Sequence, residues 1–371
     1  MWNTLERLGS CRPYVRGSSM HRSRSFLLGL AVVSTLGVNA CSSDKAKTTD
    51  SPAATEAAPT QSAAAPTDSA APSDATAGAT AAPESTGNKA TIKLVENAWT
   101  ASAINVEIAK QLIEKNLGNK VEVVKIDENL QFAGLAAGDL DATLEIWPSG
   151  VVAEEQKYID DGAIVNDGPL GVVGKIGWFV PDYVQTKFPS LATWEGFKDP
   201  AVAKAFSTAE TGSKGRFLGT DPSYSQFDET IVKNLKLPMQ VQFSGSEAAT
   251  VAELDSRVAA KEPLVMYWWT PTAAVAKYNL KNIPLPAYSK DCYADAAKIA
   301  CDYPEDNLFK AESSKLAVKA PAVSAFLKKF SLSTDDQLSM LPAVEIDKKP
   351  LEDVAAAWIK ANEATWKTWL N

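Results

Sequence analysis

TIKLVE at residues 91–96, ASAINVEIAKQLIEKNLG at 101–118, KVEVVKI at 120–126, LQFAGLAAGD at 130–139 and ATLEIW at 142–147 alternate between two hydrophobic periods. The first, third and fifth are short and rich in β-branched residues, as strands are. In the second, Ile104, Ile108, Leu112 and Ile113 fall on one helical face, and Gly118 supplies the stop. The fourth reads as a short helix. Strand and helix in strict rotation predict βαβαβ, a mostly parallel sheet with helices on its faces. A second run repeats the pattern: strands at 171–180, 215–220, 239–243 and 263–269, with helices at 225–235 and 246–261 between them. From there the chain is expected to close with helices. In the last of them Leu351, Val354, Ala355, Trp358 and Ile359 share a face. Two α/β units predict two lobes, with the helical tail returning to the first.

Upstream of this block the chain reads differently. MHRSRSFLLGLAVVSTLGVNAC (20–41) has Arg22 and Arg24, an apolar middle from Phe26 to Val38 that is short for a membrane span, and Ala40 before Cys41. It resembles a bacterial lipoprotein signal, in which the cysteine is lipidated and becomes the new N-terminus. Residues 1–19 then read as an upstream extension of Met20. Residues 42–89 are Ala, Thr, Pro, Ser and scattered acids without apolar period, the composition of a disordered tether.

Composition excludes several functions. Removing residues 1–40, which carry five Arg and one Glu, leaves a formal charge of −12 against −8 for the whole chain. An acidic domain whose arginines are Arg216 and Arg257 is a poor nucleic-acid binder. The single histidine, His21, lies in the signal, so after processing there is no imidazole for base catalysis or for a metal. Cys292 and Cys301 are close together in an exported chain and read as a disulfide, contributing about 2–3 kcal/mol in the chain-entropy model. No cofactor or metal is expected.

Nine of the ten tryptophans follow residue 41. Trp358, Trp366 and Trp369 read as packing of the terminal helices, and Trp194 as the pin of a turn. Trp268 and Trp269 are consecutive in a strand and are expected to point to opposite faces, leaving open which of them meets a ligand. Trp99, Trp147 and Trp269 share a position: each stands where a strand ends, the edge at which open α/β sheets bind ligands. Packing explains any one of the three; it explains three together much less well. Electron-rich rings suit a sugar face or a quaternary ammonium, which has no hydrogen bond to donate and is held by cation–π attraction of about 0.5–2 kcal/mol per ring. NAWTAS, EIWPSG and YWWTPT are thin in the charged and amide groups a sugar requires.

The segments LAAGDLDATLEIWPSG (135–150), KEPLVMYWWTPTAAVAKYNL (261–280) and AAAWIKANEATWKTWL (355–370) resemble those of the substrate-binding proteins of ABC importers for glycine betaine and related quaternary amines. The resemblance spans residues 90–371. It implies a two-lobed periplasmic-binding-protein fold, each lobe a mostly parallel sheet flanked by helices, with lobe 1 at 90–176 and 306–371, lobe 2 at 177–305 and the ligand cleft between them. It implies an aromatic box of Trp147, Trp269 and, as in choline-type members, Trp99, with Tyr224 in GTDPSYSQFDE (219–229) as a further ring. It also implies an ABC permease as partner, a monomer tethered by lipid to the outer face of the cytoplasmic membrane, and a role in osmoprotection. Three departures bear on the ligand: GTDPSYSQFDE is not glycine-rich, Ala101 stands where choline-type members carry Asp, and Thr272 stands where many members carry a carboxylate-holding His. A ligand carboxylate would then rely on backbone N–H groups at helix starts, with Thr100 to Ser102 and Ser223 to Ser225 as candidates, while Arg216 reads as a surface residue. Asp221 reads as a turn residue or as part of a negative wall, and Asp228 as a solvated helix face. The alternatives are another small solute (amino acid, sugar, carnitine or a betaine-like thione) on the same fold, and an exported enzyme using Asp141 and Glu145 as paired carboxylates.

Overall fold

The computed structural model describes residues 89–371. The lipoprotein signal, Cys41 and all of the tether but its last residue lie outside the described residues. Among the described residues nine strands form the frame: β1 (Ile92–Glu96), β2 (Val121–Lys125), β3 (Ala142–Ile146), β4 (Ile164–Pro181), β5 (Gly215–Gly219), β6 (Met239–Phe243), β7 (Met266–Thr270), β8 (Leu280–Ile283) and β9 (Glu305–Ser313). Their order is β2-β1-β3-β9-β4-β7-β5-β6, with β8 also paired to β4.

Both predicted parallel cores are present. β1 lies parallel to β2 and β3, and β5 lies parallel to β6 and β7. The helix after β1, α1 (Thr100–Leu112), buries Ile104, Ile108 and Leu112, as the periodicity requires. Its last turn, Ile113–Leu117, is a π-helix that buries Ile113 and ends on Gly118 at φ 71°, a left-handed conformation that costs glycine nothing. α2 (Glu128–Ala137) follows β2 and buries Phe132 and Leu135.

The centre of the sheet differs from expectation. β9 was read as part of the helical tail, yet it inserts between β3 and β4, antiparallel to both. Its sequence, EDNLFKAES, mixes acids and a lysine with apolar residues and shows no β-branched run. The buried Lys310 donates to the carbonyls of Leu327, Lys328 and Phe330, so tertiary partners satisfy a charge that would otherwise need water. β4 is also longer than its predicted segment. Ile164–Lys175 runs beside β9 and Lys175–Phe179 beside β7, so one continuous strand belongs to both halves of the sheet.

The C-terminal helices pack against α1, as expected of the returning tail. Trp358 and Trp369 stack there with centroids 6.1 Å apart, and Trp366 is buried beside them. Cys292 and Cys301 are joined by a disulfide. Among the described residues, no helix is long and apolar enough to cross a membrane.

Candidate ligand-binding site

Four places where strands give way to turns or loops bring four aromatic rings together. Trp99 occupies the step from β1 into α1, and Trp147 the step out of β3. The turn after Trp147, Pro148–Gly150, is held by β9: Ser149 donates from its backbone N–H (2.8 Å) and its hydroxyl (2.6 Å) to Asp306. Trp269 lies near the end of β7, and Tyr224 in the loop between β5 and the helix Asp228–Asn234. These four rings come from both halves of the sheet and wall one cavity, with Tyr267, Ile176, Glu128, Gly150 and Ser225 completing the lining. Tyr224 meets Trp99 edge-on at 5.5 Å and Trp269 edge-on at 5.7 Å. Tyr267 approaches Trp269 at 6.1 Å.

The cavity measures about 20 Å³ for the centre of a water molecule. Treated as a sphere and padded by one water radius, that is room for a body of roughly 3 Å radius, the size of a trimethylammonium head. Hydrogen bonds between the two halves close it. The Tyr224 hydroxyl donates to the Ala98 carbonyl (2.5 Å), the Ser225 backbone N–H to Glu128 (3.2 Å) and the Ser225 hydroxyl to the Gly150 carbonyl (3.2 Å). On the far side of Trp99, the Thr100 N–H and hydroxyl donate to Glu247 (3.0 and 3.2 Å).

The electrostatics of the cavity are negative. Glu128 lines it and no Lys or Arg does. Burial raises the Glu128 carboxyl to about 7, opposed by its bond from Ser225. Behind the rings lies Glu145, also raised to about 7 by burial and held down by bonds from Trp99, Trp147, Gln337 and Asn105. Burial likewise lifts the Tyr224 and Tyr267 phenols, so both stay neutral. Among the described residues, the Tyr267 hydroxyl donates to no protein acceptor.

Of the residues singled out from sequence, Trp99, Trp147, Trp269 and Tyr224 meet in this cavity; Thr100, Ser102 and Ser223 do not line it. Thr100 is engaged by Glu247, the Ser102 hydroxyl accepts from the Asn97 N–H, and the Ser223 N–H donates to Asp221. The N–H and hydroxyl of Thr100 and the N–H of Ser223 are met by the protein itself, so those donors are not offered to a ligand. Trp268 and Trp269 do not diverge: their rings stack at 4.5 Å and 29°. The Trp268 N–H reaches Thr272 Oγ1 beyond the strand end (2.8 Å), which draws its ring over that edge and leaves Trp269 on the cavity. Asp228 is not solvated; it is buried, accepts from Trp178 Nε1 (2.6 Å) and Tyr303 (3.2 Å), and ties the second half's core together. Asp141 and Glu145 do not share a site: Asp141 binds Lys319 (2.7 Å) and the Lys93 N–H, whereas Glu145 serves the two indoles. Ser225, the end of the stretch from Ser223 named as backbone donors, does line the cavity, though its N–H is taken by Glu128. Tyr267 and Glu128 were missed. Tyr267 carried a signal, sitting two residues before Trp269 on the same strand face; Glu128 carried none.

A two-part α/β frame with an aromatic cavity at its strand ends defines a periplasmic-binding-protein-like solute receptor. Residues 90–361 match the family described as the substrate binding domain of ABC-type glycine betaine transport system, and the chain belongs to that family. It is 28% identical over 287 residues to the trimethylamine N-oxide-binding protein of Pelagibacter ubique, covering 75% of this chain and 90% of that one. It shares its fold with lactococcal OpuAC in a closed conformation with glycine betaine (TM-score 0.62, 21% identity, 76% of this chain and 100% of that one). An ABC-transporter choline-binding protein in complex with choline superposes at TM-score 0.62, with 17% identity over 76% of this chain and 91% of that one.

Proposed function

We propose that this chain captures a small methylated amine outside the cell and delivers it to the membrane permease of an ABC importer. The observation that carries the reading is a cavity of one trimethylammonium head's size, walled by Trp99, Trp147, Tyr224 and Trp269 and lined by the Glu128 carboxyl but by no cationic side chain. Three or four cation–π contacts of about 0.5–2 kcal/mol each supply much of the roughly 8 kcal/mol that micromolar affinity needs. The candidate ligands are glycine betaine, choline, carnitine, proline betaine and trimethylamine N-oxide. Glu128 beside the cavity favours those without a carboxylate, choline and trimethylamine N-oxide, because a carboxylate there meets a like charge. We assign the Tyr267 hydroxyl as the donor to the ligand's oxygen.

In this reading residues 90–176 and 306–371 form one lobe and 177–305 the other, with β4 and β9 as the connections that bend. Cys41 carries the lipid and residues 42–89 let a monomeric receptor reach out from the membrane face. The test is a calorimetric panel of these amines alongside glucose, maltose and lysine. Binding of a methylated amine at micromolar concentration with none of the controls supports the reading; binding of a control alone refutes it. Palmitate labelling lost in Cys41→Ala tests the anchor.

A further inference from the structure

One buried carboxylate oxygen collects two walls of the cage. Glu145 Oε1 accepts from Trp99 Nε1 at 2.7 Å and from Trp147 Nε1 at 3.1 Å. Its other oxygen accepts from Asn105 Nδ2 at 2.6 Å and Gln337 Nε2 at 3.3 Å. Glu145 is 1% exposed and stands on β3, two residues before Trp147. The four donors come from the loop before α1, α1 itself, the end of β3 and the helix Thr334–Glu345, none carries a formal charge, and Glu145 does not line the cavity.

We infer that Glu145 is a positioning and specificity-determining residue, whose ionised carboxylate orients Trp99 and Trp147 and, through their N–H groups, gives the cage its preference for a cation. The inference rests on the function proposed above. Two physical effects combine. An indole tied at its nitrogen cannot spin about its ring axis, so both faces are set before the ligand arrives. A charge-assisted bond at the N–H pushes electron density into the ring, strengthening the face that meets a positive charge. Four donors and no required acceptor match the ionised carboxylate. Burial works against that form, and the opposition leaves the group at about 7. The arrangement therefore holds negative charge behind the rings, out of reach of a hydrogen bond from the ligand. A sugar gains nothing from such a charge; a trimethylammonium does.

Glu145→Gln keeps the shape and one acceptor oxygen while removing the charge. The amide it brings can be met by Gln337 Oε1, a buried atom with no partner among the described residues. The experiment compares the full chain and Glu145→Gln at pH 8 by calorimetry with choline and with its uncharged carbon analogue 3,3-dimethylbutan-1-ol. Ligand-free ultraviolet resonance Raman spectra report the indole N–H bonds. The expected result is roughly tenfold weaker choline binding, binding of the neutral analogue unchanged within twofold, and a shift of the indole N–H band toward weaker bonding. Equal losses for both ligands, or no loss for either, overturn the inference, since a purely structural role does not separate them. An unshifted N–H band also overturns it, with or without ligand. A wild-type chain that binds none of choline, glycine betaine and trimethylamine N-oxide refutes the proposed function instead.

Discussion

Gly174→Ala should damage binding without replacing any residue that faces the ligand. Gly174 lies on β4 opposite Asp306 of β9, and the Trp147 ring rests on it. A Cβ built there would stand 2.3 Å from Trp147 Cζ3, 2.4 Å from Cη2 and 3.1 Å from Cε3. Carbon atoms prefer about 3.5–4.0 Å, so the benzo edge must withdraw by roughly 1.2 Å or more. The opposite edge is tied through Nε1 to Glu145 at 3.1 Å. The ring therefore pivots about its nitrogen, and a pivot of that size re-aims one wall of a cavity with room for a body of only roughly 3 Å radius. Overpacking of this kind costs about 1–3 kcal/mol, which is about 5- to 150-fold in affinity when it falls on the bound state. Calorimetry with the tightest ligand of the amine panel should show at least about fivefold weaker binding, with a changed near-ultraviolet dichroism of the tryptophans. In a Trp147→Phe background the shorter ring makes room for the methyl, and the same substitution should cost less than twofold. A Gly174→Ala chain that binds within twofold of wild type, or a cost undiminished in Trp147→Phe, refutes the geometry.

Trp269→Ala removes a cavity wall and should weaken binding at least tenfold, whereas Trp358→Ala, among the C-terminal helices and not in the cavity lining, should lower the melting temperature by several degrees and leave affinity within threefold; the reverse pattern contradicts the placement. Tyr267→Phe should weaken trimethylamine N-oxide or choline severalfold and leave tetramethylammonium, which has no oxygen, unaffected; equal losses for both reject the donor assignment. Stability should fall as pH rises from about 5 to 8. Burial raises Glu128, Glu145, Asp228 and Glu247 to about 7 and Glu345 to about 8, above their unfolded values of 4.5 for Glu and 3.8 for Asp. The native state thus binds protons that the unfolded chain has released; their stabilisation is complete below the unfolded values and lost through the native ones. A melting temperature flat or rising between pH 5.5 and pH 8 contradicts this.

Much of the architecture was legible because local periodicity and burial coincide in it. The rotation of segments from Thr91 to Trp147 specifies parallel strands under helices, and Ile104, Ile108 and Leu112 are buried as their spacing demands. Trp99, Trp147 and Trp269 were legible as a site because strand ends are where such sheets leave room for ligands. β9 was not, because Lys310 and Glu312 are tolerated inside only through partners remote in sequence: the carbonyls at 327–330, and Ser324 at 2.7 Å.

Composition and order alone thus determined a two-part α/β frame whose aromatic rings stand at strand termini, since those properties follow from neighbours a few residues apart; that the frame is a solute receptor came from the family resemblance of particular segments. Tertiary structure decided the polar half of the site. It set which of two adjacent tryptophans faces the cavity, turned Thr100, Ser102 and Ser223 to internal bonds, and brought Glu128 to the cavity wall. It also placed Asn105, Glu145 and Gln337 behind the rings. A buried carboxylate is tolerable only where its donors converge, and that convergence across 232 positions of chain, from Asn105 to Gln337, is a property of the fold that no local pattern encodes.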